Sequence, residues 1–186
     1  MPIPKSVGAI ELSSIGVGYQ VEDEMLKAAS VELLLARTIC SGKYLVVVGG
    51  SVSDVEAAVQ AGSRIGQGAI IDTLTLANVH ESVFPALGQS VVLSADEAGA
   101  LGVLETFSGV SILAAADRAA KAARVTLFRI HVAMALGGKG LMLLSGSVAD
   151  VRAAIEAAAD EARARGVLVA EVVIPRPSRE LLADYL

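Results

Sequence analysis

This chain is written twice. Val7-Gly8-Ala9-Ile10-Glu11 returns 94 positions later as Leu101-Gly102-Val103-Leu104-Glu105. Ser14, Asp23, Lys27, Ala28, Ala29, Val31 and Leu33 return in the same register as Ser108, Asp117, Lys121, Ala122, Ala123, Val125 and Leu127. The shift then becomes 96, through two residues added in one short loop. In that register Gly42-Lys43 recurs as Gly138-Lys139, and Gly50-Ser51-Val52 with Asp54-Val55 recurs as Gly146-Ser147-Val148 with Asp150-Val151. Solenoid and propeller repeats run to about 20–50 residues, so a period this long is that of a small domain. The 186 residues therefore read as two fused domains, 1–92 and 93–186. Residues present in one copy only are the places where function can part from architecture. The chain's one cysteine, Cys40, is such a residue, and Met134 stands at the corresponding position.

Composition narrows the function classes. Hydrophobic residues make up 54% and charged residues 19%, enough for a substantial core and an interface, which argues against disorder. Aromatics are only 3%, with no Trp, which disfavours stacking on bases or sugars. A net charge of −5 gives no general attraction to nucleic acid or to anionic membrane. Met1-Pro2-Ile3-Pro4-Lys5 lacks the apolar core of a signal peptide. Stretches such as Tyr44–Val48 fall far short of the roughly 20 residues that span a bilayer. With one cysteine and hence no intrachain disulfide, the expected location is the cytoplasm.

Periodicity predicts the same six elements in each half. The first half has strand Ala9–Ser13, helix Val21–Ala29, strands Val31–Ile39 and Lys43–Val48, a helix capped by Ser53 or Asp54, and strand Ala69–Ala77. Glu22, Asp23 and Glu24 at the first helix's start, with Lys27 near its end, suit a helix dipole. The second half has Gly102–Thr106, Ala114–Ala123, Val125–Ala133, Lys139–Leu144, Val148–Arg165 and Val167–Ile174. The order β-α-β-β-α-β predicts an α+β fold of two tandem ferredoxin-like units. Residues from about Pro85 to Ala98 join them, and a short helix follows Pro177.

Several kinds of chemistry are missing. Gly42-Lys43 and Gly138-Lys139 lack the upstream glycine and following Ser or Thr of a phosphate loop, and Gly16-Val17-Gly18 lacks the third glycine of a dinucleotide fingerprint. His80 reads as a surface residue and His131 as a packed or interface histidine; the two have no metal-ligand spacing. No nucleophile–His–carboxylate set and no recurring carboxylate pair is present. The sequence does not read as that of an enzyme.

Taken together, Gly-x-[Ile/Leu]-Glu, the helix ending Leu26-Lys27-Ala28-Ala29, the Gly-Lys turn and Gly50-Ser51-Val52-x-Asp54-Val55 resemble the bacterial microcompartment shell domain. Two copies resemble a tandem-domain, non-permuted shell protein, which implies a homotrimer mimicking a hexagonal tile. Thr38-Ile39-Cys40-x-Gly42-Lys43, Leu76-Ala77-Asn78-x-His80, Ala115-Ala116-Asp117-Arg118-Ala119, Gly137-Gly138-Lys139 and Val173-Ile174-Pro175-Arg176-Pro177 resemble the iron–sulfur shell trimers of propanediol-utilisation compartments. Two positions depart from that pattern: Ser41 stands where proline is usual, and Gly140 where a cysteine is found.

The resemblance implies a pseudohexameric ring with the Cys40 turn at its axis. Three Cys40 thiolates would then be the ligands of one [4Fe–4S] cluster per trimer, with [3Fe–4S] or no cluster as the alternatives. Ser41 and Gly42, with Ala135, Leu136, Gly137 and Gly138 of the other copy, would line the pore. Lys27, Lys121 and Arg176 would lie at tile edges, against other shell proteins. The expected role is electron transfer across the shell, with a redox enzyme as a further partner. A cluster-free tile passing small metabolites stands as the alternative, and a small-molecule-sensing ferredoxin-like trimer as a more distant one.

Overall fold

The computed structural model describes residues 4–93, 99–132 and 136–183, with side chains to 181. The first repeat runs β1 (Ser6–Leu12), α1 (Ile15–Ala28), β2 (Glu32–Ile39), β3 (Lys43–Gly50), α2 (Val52–Ile65) and β4 (Ile70–Ala77). A short α3 (Val83–Leu87) follows. The second repeat runs β5 (Ala100–Thr106), α4 (Ser111–Ala122), β6 (Val125–His131), β7 (Gly140–Gly146), α5 (Val148–Ala164) and β8 (Leu168–Ile174), and α6 (Arg179–Ala183) follows it. Each repeat is an antiparallel four-stranded sheet, in the orders β2-β3-β1-β4 and β6-β7-β5-β8. The α+β, ferredoxin-like expectation holds. Even the irregularities recur: bulges fall between Leu33 and Leu35 and between Leu127 and Arg129. Such bulges are inherited features, not defects.

Two compact units result. One comprises Met1–Val79 with the loops Ser108–Val110 and Val132–Lys139; the other comprises His80–Phe107, Ser111–His131 and Gly140–Leu186. In the first, Ile10, Leu12, Val46 and Val48 of the sheet pack against Val21 and Met25 of α1 and Val55, Ala58 and Val59 of α2. Among the described residues no helix is long and apolar enough to cross a membrane.

Helix starts differ from the sequence expectation. The duplicated Gly-Ser-Val-x-Asp motif is a cap: Ser51 Oγ accepts from Asp54 N at 3.2 Å, and Ser147 Oγ from Asp150 N at 3.1 Å. The cap is therefore Ser51, not Ser53 or Asp54, and it satisfies an amide the first turn would otherwise orphan. Likewise α1 begins at Ile15, after Ser14, whose Oγ accepts from Val17 N. Glu22–Glu24 therefore sit in mid-helix, and only Lys27 at the C-terminal turn keeps its dipole role.

One pair of positions has exchanged sizes between the repeats. A Cβ on Gly18 would lie 2.4 Å from Tyr44 Cγ, so α1 approaches β3 only because residue 18 has no side chain. At the equivalent positions Ile112 is the large residue and Gly140 the small one, where a Cβ would lie 2.6 Å from Ile112 Cβ. Tyr44 OH donates to Glu22 Oε2 at 2.7 Å; burial and then this bond push its phenol above the usual tyrosine range. The swap makes a thiol at position 140 costly, because its Cβ would displace Ile112. Gly140→Cys is expected to cost about 1–3 kcal/mol, as overpacking does. Denaturant melts should show that adding Ile112→Gly costs less than the two single changes summed.

Candidate functional site

The β2–β3 ladder closes at Ile39 and Lys43, leaving Cys40, Ser41 and Gly42 as the tip. Gly42 has φ +75°, a conformation that favours glycine. The Cys40–Ser41 peptide bond is cis. Cys40 is half-buried, and Ser41 and Gly42 are exposed.

The counterpart turn of the second repeat lies alongside, in the same compact unit. Gly138, buried and at φ +82°, sits so close that a Cβ there would be 2.5 Å from the Cys40 carbonyl oxygen. Leu136 is half-buried and Gly137 exposed. The structure thus brings Gly138 against Cys40. Ala135, like Met134, lies outside the described residues.

Beneath the tip is a buried polar cluster that the sequence reading missed. Lys43 Nζ donates to Glu11 Oε1 at 2.9 Å, and the Glu11 side chain has no solvent exposure. Glu11 Oε2 accepts from Gly109 N at 2.9 Å and faces Ser108 Oγ at 3.2 Å. Ser108 Oγ also lies 2.5 Å from Asp72 Oδ2 and accepts from Val110 N. A buried carboxylate is tolerable only when paired and hydrogen-bonded, and Glu11 is both. The signal was visible: a glutamate inside the apolar strand Val7–Leu12. Because Lys43 adjoins Cys40 and also approaches Gly138, this pair ties both turns to the sheet.

Among the described residues, no group of three or more His, Cys, Asp and Glu could hold a metal ion within one chain. His80 is half-buried, its backbone N–H donating to Asp117 Oδ1 at 2.8 Å. His131 Nδ1 lies 3.2 Å from Gln89 Nε2. Lys27 and Lys121 end α1 and α4, and each pairs with an aspartate one turn back, Asp23 and Asp117. The hydrogen bond to Asp23, reinforced by its charge, holds the Lys27 ammonium above the ordinary lysine range. Arg176 is exposed after β8.

The BMC domain family model matches residues 6–79 and again 100–177. The bacterial microcompartment shell protein PduT of Citrobacter freundii is 42% identical over 177 residues, 95% of this chain and 95% of its own. The carboxysome shell protein CcmK2 of Thermosynechococcus vestitus is 36% identical over 85 residues, 44% of this chain and 83% of its own. Among solved structures, a microcompartment protein from Desulfitobacterium hafniense DCB superposes with a TM-score of 0.88 at 41% identity, covering 96% of this chain and 98% of that one. A domain matched twice, on two sheets of identical order, and a relative aligned nearly end to end place the chain in the BMC-domain family of microcompartment shell proteins, as a tandem-domain member.

Proposed function

We propose that three copies close into a hexagonal tile of a microcompartment shell in the cytoplasm. Cys40 would be the ligand that each copy contributes to one [4Fe–4S] cluster on the threefold axis. The observation that carries this reading is the tip itself: a half-buried cysteine on a turn seated against its own repeat counterpart. Turns that adjoin within one chain are the turns that would surround an axis in a ring of six domains. Burial supports the ring. Tyr19 of α1 is largely exposed, whereas its counterpart Leu113 of α4 is fully buried. A second copy would supply the missing cover.

One thiolate per chain does not suffice for a cluster, but three related by symmetry fit a cubane in which three irons take protein sulfur. Four cysteines are the common set, so one iron would remain for a non-cysteine ligand. When bound, the cluster supplies reversible one-electron transfer. The chain's own residues hold the thiolates: Gly42 makes the turn, Gly138 admits the Cys40 carbonyl, and the Lys43–Glu11 pair anchors the base. No substrate and no acid–base catalyst is required. Lys27, Lys121 and Arg176 would meet other shell proteins at tile edges, the lysine stems packing while the charges stay solvated. A redox enzyme would exchange electrons with the tile.

Anaerobic reconstitution tests this. The expected result is a brown trimer whose iron and sulfide scale with trimer, not monomer, with a paramagnetic signal on redox adjustment. Colourless, iron-free protein would refute the cluster and leave a passive, metabolite-passing tile. Electron micrographs of concentrated protein should show hexagonal sheets; a small-molecule sensor would form none.

A further inference from the structure

Each repeat ends in the same way, but among the described residues the two endings differ in burial. The chain leaving β4 turns into α3, which packs along β6 and touches α4 within the second compact unit. Val83, Ala86 and Leu87 of α3 are buried. The receiving surface is closed: Leu127 is 2% exposed, and Phe128, the bulge residue, is buried. Asp117 fixes the entering chain, taking the His80 N–H on Oδ1 and Lys121 on Oδ2. Its side chain is 5% exposed.

The chain leaving β8 also turns into a short helix, α6, whose Leu181 is 38% exposed. The surface equivalent to the one α3 covers lies on β2 and α1, and it is open. Leu33, the counterpart of Leu127, is 39% exposed. Asp23, the counterpart of Asp117, holds Lys27 through Oδ2 in the same way, yet its side chain is 62% exposed.

We infer that the segment from Pro175 through α6 of one copy seats on β2 and α1 of the next copy, as α3 seats on β6 and α4 within the chain. This rests on the ring reading above and names one of its contacts. Each domain then passes its trailing segment forward to the next domain, and the handover continues across chain boundaries. Apolar Leu181 meets apolar Leu33, and Asp23 Oδ1 accepts a backbone N–H of the arriving segment. Ladder register identifies that amide. Val7 pairs with Leu76 and its repeat Leu101 with Ile174. His80 lies four residues past Leu76, and Ser178 lies four past Ile174.

The full chain with Cys40→Ser, Asp23→Cys and Ser178→Cys tests the contact. Its control carries Cys40→Ser, His80→Cys and Asp117→Cys. A disulfide needs α-carbons within about 7 Å, so the control should oxidise within single chains. The test protein should oxidise into covalently closed rings of three on non-reducing denaturing gels. Unlinked or internally linked single chains, from protein that native mass spectrometry shows to be trimeric, would overturn the handover and leave the ring standing. A monomeric native mass for the unsubstituted protein would overturn the ring and this contact together. Independently, Leu181→Asp should speed amide exchange across Glu32–Ile39 about tenfold and leave Val125–His131 unchanged. Unchanged exchange in β2 would overturn the proposal.

Discussion

Replacing Cys40 with serine is expected to abolish iron and sulfide retention after anaerobic reconstitution, while trimer mass and melting temperature stay near those of the unsubstituted protein. The asymmetry of the two effects follows from where the residue sits. Cys40 is half-buried at a turn tip, outside the ladder that ends at Ile39 and Lys43. Serine is nearly isosteric, and surface changes away from caps and buried networks usually fall within about 0.5 kcal/mol. A thiolate ligand has no such tolerance, because an alcohol at neutral pH stays protonated and binds soft iron–sulfur centres poorly. One substitution per chain removes all three protein ligands at once, so the loss should be complete, not graded. Visible absorption, iron and sulfide assays and native mass on one preparation separate the outcomes. If the serine protein keeps its colour and its iron, Cys40 is not the ligand.

The legible parts of this chain are those that the repeat states twice. The order of the strands followed from apolar runs that recur in register, such as Val7–Leu12 against Leu101–Thr106. The helix caps did not, because Ser51, Ser53 and Asp54 are all capping residue types within one turn. Only the backbone shows that Ser51 Oγ is the acceptor. The sequence pattern starts α1 six residues late because its first turn, Ile15-Gly16-Val17-Gly18, contains two glycines and lacks acidic residues. Gly18 is there because Tyr44 fills its space, a long-range reason that no local window contains. α3 reads as linker in the sequence, since its five residues contain Pro85 and end at Gly88, a run so short that only packing on β6 makes it a helix. At the site, Cys40 and Gly138 were each visible as turn residues. Their contact depends on tertiary structure, as does the pairing of Glu11 with Lys43, residues 32 apart in sequence.

That buried pair carries the largest expected effect on stability. Glu11→Ala should destabilise the protein by about 3 kcal/mol, the low end for a broken buried ion pair, because Lys43 keeps partial access to water. The loss has three sources. The Lys43 ammonium loses its counter-charge, Gly109 N–H loses its acceptor, and a cavity opens beside Leu45 and Val132, which line the same space as Gly109. Glu11→Gln should cost less, since its amide oxygen still accepts one of these bonds, although the charge is gone. Urea or guanidinium midpoints, read at constant slope, would rank the unsubstituted protein above Gln and Gln above Ala. The site should respond as well. Lys43 adjoins Cys40 at the end of the ladder, and Gly138 packs on both, so a loosened Glu11 pair frees both turns together. Under the cluster reading, Glu11→Gln then lowers iron retention at temperatures where the protein remains folded, with every thiol still present. Retention at the unsubstituted level in a measurably destabilised Gln protein would show that Glu11 supports the fold but does not position Cys40.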